Sequence, residues 1–219
     1  MYLFYTNEYK RESAHSRELL ARSIGELTKL DAYVSVTSEI AALDDNELHR
    51  YISDNIEVNK NGKPRIAGVP DYSISHSENT WAIIFSDTPC GLDIQYNREA
   101  KFEKITSKFY QKDEAESAAR LGLNEFFRIW SRREALIKAA GSTVFSEVPS
   151  TMGGSATYQG FKWRIYDVLI DFKDNTPESK LSVTSVQERN LKRTHAAVAV
   201  RDDSEFAGAG NIKVYKLEL

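Results

Sequence analysis

Hydrophobic positions along this chain switch between two periods. Residues 2–5 form an unbroken apolar and aromatic run that reads as a first strand, and Leu20, Ile24, Leu27 and Leu30 then recur at helical spacings, with Arg17 near that helix's start. Residues 33–36 alternate like a strand, and residues 43–52 predict a short helix. A turn-rich basic loop, Asn59-Lys60-Asn61-Gly62-Lys63-Pro64, precedes three strand-like runs at residues 72–76, 81–85 and 91–95. Residues 102–140 are helical in pattern, with breaks near Gln111 and Gly122. The last helix, from about Asn124 to Ala140, stops at Gly141, because glycine readily takes the left-handed backbone that ends a helix. Strand character returns at residues 161–166, 180–186, 194–200 and 212–217.

The order strand, helix, several strands thus occurs twice. It predicts an α+β fold of two pseudo-twofold-related halves, residues 1–96 and 97–219, with mostly antiparallel sheets and a site between the halves. A faint echo accompanies it, since His76 and His195 each precede an apolar strand, at residues 81–85 and 196–200.

Length and composition narrow the classes. With 219 residues, 41% hydrophobic and 28% charged, the chain can bury one sizeable core or two closely packed halves. No apolar stretch approaches the roughly 18 residues of a membrane span, and the first eight residues lack the pattern of a signal peptide, so a cytoplasmic protein without membrane attachment is expected. The net charge of −3 argues against a general nucleic-acid binder, whose footprint is basic. Cys90 is the only cysteine, which excludes an intrachain disulfide and a thiolate cluster, and its apolar context favours a buried thiol. His15, His49, His76 and His195 show no zinc spacing, and no glycine-rich phosphate loop is present.

Candidate chemistry lies in two segments. In Trp130-Ser131-Arg132-Arg133-Glu134-Ala135-Leu136-Ile137-Lys138, residues 130, 134 and 138 share one helical face. Glu134 and Lys138 could be a surface pair worth about 0.3–0.5 kcal/mol, or a charged stripe on a largely buried helix that needs a compensating ligand. In Cys90-Gly91-Leu92-Asp93-Ile94-Gln95, Asp93 points to the same side as Gly91 and Gln95, with Gly91 leaving room beside the carboxylate. Asp93 and Glu134 are 41 positions apart, so only the fold can bring them together. If it does, two carboxylates fit magnesium or manganese, beside an ammonium suited to a phosphate ester. In Ser73-Ile74-Ser75-His76-Ser77, Ser75 and His76 face opposite sides of a strand, so they are not a nucleophile and its base. His76 could instead join Lys60, Lys63 and Arg17 around an anion.

Taken in order, Gly62-Lys63-Pro64, Ser73-Ile74-Ser75-His76-Ser77, Gly91-Leu92-Asp93-Ile94 and Trp130-Ser131-x-x-Glu134-Ala135-x-x-Lys138 resemble the motif series of the 4′-phosphopantetheinyl transferases, in the larger surfactin-type class of two-half chains. The resemblance implies transfer of the phosphopantetheine arm of coenzyme A to a serine of an apo acyl or peptidyl carrier protein, releasing adenosine 3′,5′-bisphosphate. It implies Asp93 and Glu134 as ligands of Mg²⁺ (or Mn²⁺), with Gln95 as a further candidate ligand. Glu134 would be the base and Lys138 would stabilise the leaving group. Arg17, Asn61, Gly62, Lys63, Pro64, Ser73, Ser75, His76 and Lys138 match the coenzyme A-binding positions. Two residues depart from the pattern: many relatives carry an acid where this chain has Gln95, and a lysine where it has Arg133. A carrier surface is expected on residues 102–127, with Lys101, Lys104, Lys108, Lys112 and Arg120 facing an acidic helix and Phe109, Tyr110, Leu121 or Leu123 as apolar anchors. The chain is expected to act as a monomer. The alternative reading is a non-catalytic coenzyme A-binding or carrier-docking module, motivated by Gln95; a metal-dependent phosphoesterase lacks a second cluster of acids or histidines.

Overall fold

The structure, a computed structural model, describes residues 1–30, 36–143, 145–170, 194–202 and 212–218. The strands expected at residues 33–36 and 180–186 lie wholly or largely outside these residues. The N-terminal part runs β1 (Tyr2–Thr6), α1 (Ser13–Lys29), α2 (Ser38–Ala41), α3 (Asp45–Asn55), β2 (Ile56–Val58), β3 (Pro64–Ile66), β4 (Asp71–Ser77), β5 (Thr80–Ser86) and β6 (Cys90–Tyr96). It continues through α4 (Glu103–Phe109), α5 (Lys112–Leu121), α6 (Leu123–Ala140), β7 (Ser155–Tyr158), β8 (Phe161–Val168), β9 (Thr194–Arg201) and β10 (Lys213–Lys216).

The architecture is mixed α+β with mostly antiparallel sheets, as the alternating periods predict. One four-stranded sheet has the order β10-β1-β5-β4, in which only β1 and β10 run parallel; the other, β6-β9-β8-β7, is antiparallel throughout. Strands β2 and β3 form a separate hairpin. That hairpin and β7 carry too few apolar residues to stand out in the sequence.

Side-chain alternation stacks these elements in layers. On β1 and β5, Tyr2, Phe4, Trp81, Ile83 and Phe85 point into a core with Leu19, Leu20, Ile24 and Leu27 of α1 and Leu48 and Ile52 of α3. Their neighbours Leu3, Tyr5, Ala82 and Ile84 point the other way, onto Cys90, Leu92 and Ile94 of β6 and Val198 and Val200 of β9. The opposite face of the second sheet offers Ala197, Ala199, Trp163 and Ile165 to Ala135, Leu136 and Ala139 of α6. Both faces of the inner strands are therefore covered, which is why β5 reads as a continuous apolar run. Each fully buried large side chain contributes about 1.5–3 kcal/mol to this stack.

The helix ends follow local chemistry. Asp44 and Glu47 form a reciprocal capping box at the start of α3, as Gln111 and Glu114 do for α5. Gly122, at φ 79°, separates α5 from α6, and Gly141, at φ 61°, ends α6 in the left-handed region. Both breaks fall where the sequence places them.

Candidate functional site

The site begins with the approach of α6 to β6. A Cβ built on Gly91 would lie 2.0 Å from the Ala135 carbonyl oxygen and 2.4 Å from the Ala139 amide nitrogen. The room that Gly91 leaves beside Asp93 is thus filled by helix backbone. Glycine there lets α6 sit on the strand, which sets Glu134 and Lys138 next to Asp93.

Asp93 is 3% exposed, and both of its carboxylate oxygens accept hydrogen bonds. Lys138 Nζ donates to its Oδ1 at 2.7 Å and to the Leu92 carbonyl oxygen at 3.1 Å. The Ser75 hydroxyl donates to the same Oδ1 at 3.1 Å, and Gln95 Nε2 donates to Oδ2 at 2.9 Å. Lys138 therefore pairs with the strand carboxylate rather than with Glu134 one turn away, so the surface-pair reading of residues 134 and 138 does not apply.

Glu134 is half-buried, and its side chain makes no hydrogen bond or ion pair among the described residues. Burial raises its pKa above the ordinary carboxylate value, Asp93 raises it further, and Lys138 and Arg133 oppose the shift. Two carboxylates and one ammonium thus converge across 41 residues of sequence. Among the described residues, no group of three or more His, Cys, Asp and Glu side chains is arranged to hold a metal ion. The donor set is Asp93 with Glu134, which fits a cation such as Mg²⁺ that keeps several waters and takes its remaining ligands from phosphate oxygens. Gln95 turns its amide nitrogen, not its oxygen, toward Asp93.

The expected coenzyme A residues divide into two groups. Arg17 is exposed on α1, and His76 is exposed on β4, with its ring 5.1 Å from that of Tyr9. Burial, then Lys138 and Arg11, lower the His76 pKa, while Asp93 opposes them, so His76 looks onto the same positive field. Asn61 and Gly62 are exposed, and Asn61 Nδ2 donates to the Gly141 carbonyl oxygen at 2.5 Å, tying the basic loop to the end of α6. Pro64 opens β3. The others turn inward. Lys63 Nζ lies 2.5 Å from Asp71 Oδ2 and 2.9 Å from the Cys90 carbonyl oxygen, and the Ser73 and Ser75 hydroxyls accept from the Leu92 and Ile94 amides. Cys90 is buried, and burial holds its thiol pKa well above the usual range, consistent with an inert thiol.

Sequence reasoning missed several supports. Glu114, fully buried, accepts from Arg133 Nη1 at 2.6 Å, from the Thr151 amide and hydroxyl at 2.9 and 2.8 Å, and from the Gln111 amide at 3.0 Å. Arg133 therefore braces α6 against α5 instead of facing the site. Arg132 makes a two-pronged pair with Asp167 of β8, both contacts at 2.7 Å. The Gln111-x-x-Glu114 capping pattern was the one readable signal. Tyr9 and Arg11, the latter ion-paired with Glu78, carry no motif.

On the outer segment, Lys101, Lys104, Lys108, Lys112 and Arg120 are all exposed. Phe109 is half-buried beside Phe145, which is 78% exposed, and Leu121 is exposed as well. Tyr110 is not a surface anchor: its ring stacks on Phe126 and its hydroxyl donates to the Phe126 carbonyl oxygen at 2.8 Å. Leu123 likewise packs against the Phe126 cluster. No helix among the described residues is long and apolar enough to cross a membrane.

Comparison with known proteins agrees with the motif series. The model of the 4′-phosphopantetheinyl transferase superfamily matches residues 89–194, the stretch that holds both Asp93 and Glu134. A protein of Aneurinibacillus migulanus, 4′-phosphopantetheinyl transferase gsp, is 28% identical over 133 residues. The match covers 55% of this chain, and the chain spans about half (53%) of that relative's length.

Proposed function

We propose that this chain, which belongs to the 4′-phosphopantetheinyl transferase superfamily, transfers the 4′-phosphopantetheine arm of coenzyme A to a serine hydroxyl of an apo acyl or peptidyl carrier protein. The observation that carries the reading is the convergence of Asp93, Glu134 and Lys138 at the α6–β6 contact. In this reaction the serine oxygen forms a bond to the phosphorus of the arm, and the bond from that phosphorus to the bridging oxygen breaks. The serine proton goes to a base, and adenosine 3′,5′-bisphosphate leaves.

Each side chain suits one part of that step. Glu134 holds a proton more readily than an ordinary carboxylate, because of burial and of Asp93, which suits a base for the serine. Lys138, held by Asp93, places a fixed positive charge where negative charge gathers on the departing phosphate. Asp93 and Glu134 would hold Mg²⁺ or Mn²⁺, which when bound neutralises pyrophosphate charge. Arg17, Asn61, Gly62 and His76 supply the exposed wall for coenzyme A. Lys63, Pro64, Ser73 and Ser75 shape that wall from beneath. The carrier would meet Lys108, Phe109 and Phe145 on the outer segment.

The halves at residues 1–96 and 97–219 belong to the same proposal, and the strand exchange between them supports it. Strand β6, from the first half, joins the second sheet, while β10, from the second, joins the first. We place the protein in the cytoplasm and expect it to act as a monomer.

The test incubates the chain with coenzyme A, Mg²⁺ and a panel of apo carrier proteins, followed by intact-mass measurement. Appearance of the pantetheine mass on one carrier, and its loss with Glu134→Gln, is the expected result. No added mass on any carrier would reject the activity. The second reading, a coenzyme A-binding module without transfer, is favoured by the single observation that Gln95 offers Asp93 a donor rather than a third acid. It predicts coenzyme A binding that is indifferent to Mg²⁺.

A further inference from the structure

Strand β4 carries three serines on one face, and each hydroxyl accepts an amide N–H from β6. Ser73 takes Leu92 at 3.0 Å, Ser75 takes Ile94 at 3.1 Å and Ser77 takes Tyr96 at 2.9 Å. These three amides, at alternate positions, lie along the edge of β6 away from β9, where a further strand would otherwise pair. Side-chain hydroxyls thus replace a strand ladder and join β4, the end strand of one sheet, to β6, the end strand of the other. A serine repeat of period two is the sequence trace of that seam.

Ser75 differs from its two neighbours. A hydroxyl has one donor and two acceptor positions, and all three are in use. Its proton goes to Asp93 Oδ1 at 3.1 Å, and its lone pairs face the Ile94 amide at 3.1 Å and Lys138 Nζ at 3.3 Å. At 6% exposure it is closed to a ligand unless β4 and β6 part. Ser77 holds the same kind of seam bond without a contact to either charged group.

We propose that Ser75 is a positioning residue that fixes the Asp93 carboxylate and the Lys138 ammonium in one arrangement, rather than a contact for coenzyme A. The assignment rests on the transfer reaction proposed above. It places the discriminating role of the Ser-Ile-Ser-His-Ser segment inside the sheet, and leaves its outward residue, His76, to meet the ligand. Removing the Ser75 hydroxyl takes away one of three hydrogen bonds that hold the Asp93 carboxylate and one of three anchors of Lys138.

The test compares Ser75→Ala with Ser77→Ala in the full chain. Both lose one seam hydrogen bond, so both lower the melting temperature. Ser75→Ala is expected to reduce kcat on the order of ten- to a hundred-fold, as a small misplacement of reacting groups does, with KM for coenzyme A within about two-fold of the native value. Ser77→Ala keeps the native kcat. Unchanged kcat in Ser75→Ala, a loss carried by KM for coenzyme A, or an equal kcat loss in Ser77→Ala would each overturn the proposal.

A second measurement does not depend on activity. Melting-temperature losses of Ser75→Ala and Lys138→Met should be non-additive when combined, whereas those of Ser77→Ala and Lys138→Met should add. A parallel cycle with Asp93→Asn covers the case in which the lysine variant does not fold. If the native chain modifies no carrier, the transfer reading fails while these cycles still decide where the Ser75 hydroxyl points; additive Ser75 losses would overturn its assignment.

Discussion

Replacing Gly91 with alanine tests the contact on which the whole site stands. The new Cβ would meet the Ala135 carbonyl oxygen at 2.0 Å and the Ala139 amide at 2.4 Å, against 3.4 Å for ordinary contact. Relief therefore requires α6 to retreat from β6 by about 1.4 Å at Ala135, since both obstructing atoms are helix backbone and cannot rotate away. Overpacking of this kind costs typically 1–3 kcal/mol, and a backbone obstruction belongs at the upper end. For a chain of this length, ~3 kcal/mol corresponds to a melting temperature lower by about 6–12 °C. The functional effect should be larger than the structural one. Glu134 adjoins Ala135 and Lys138 adjoins Ala139, so the shift separates both from Asp93 by about an ångström, which costs on the order of a hundred-fold in rate. Calorimetry and carrier modification followed by intact mass measure the two effects. A Gly91→Ala chain that melts within about 2 °C of the native protein and transfers at the native rate would refute the close approach.

Three further outcomes follow from the same geometry. Glu134→Gln should abolish transfer yet raise the melting temperature in metal-free buffer near about pH 8, because a carboxylate whose folded pKa is raised destabilises the fold once pH climbs through that pKa. The gain should vanish in acid, where Glu134 is protonated in both states; a pH-independent difference would count against the electrostatic cause. Glu114→Gln leaves Arg133 buried without its charge partner and should cost about 3–5 kcal/mol in a denaturant titration, as breaking a buried pair does. A loss below about 1 kcal/mol would show that the pair is not the brace described. Charge reversal at Lys108 and Lys112 should slow carrier association at low salt and matter little at high salt; equal rates at both would remove this surface from carrier recognition.

Much of this layout is written in the sequence, but unevenly. The break residues Gln111, Gly122 and Gly141, the period-two runs of β4 and β6 and the continuous apolar run of β5 are local signals, and the elements appear where they predict. The lateral order of the strands is not local. Nothing near Asp93 says that β6 leaves the sheet of β4 and β5 to pair with β9, a hundred residues on, or that β10 returns to β1. The pairing of Lys138 was equally hidden, since helical spacing offers Glu134 as its partner and only the approach permitted by Gly91 supplies Asp93 instead. Spacing also cannot tell an outward lysine from an inward one: Lys63 sits in a loop of exposed residues, yet its ammonium is drawn under the sheet by Asp71 and the Cys90 carbonyl. The serines of β4 read as polar positions on a strand face, and a polar face ordinarily signals solvent. Here it signals a seam, because the facing strand presents amides rather than side chains.

The electrostatics of the site follow from which carboxylate Lys138 chooses. Asp93 is buried and would be costly as a lone charge, and it receives the lysine, a serine hydroxyl and an amide, which together compensate its desolvation. Glu134 is left half-buried against a like charge with no direct partner, and its raised pKa is the measure of that imbalance. Two acids on the same helix–strand contact are thereby made unequal: one is a fixed anion that orients Lys138, the other is a group that gains from a proton or a cation. A general base needs that second character, and it could not be supplied by an acid already neutralised in an i,i+4 pair. The division of roles between Asp93 and Glu134 therefore depends on the glycine at position 91, which lets the lysine reach across to the strand.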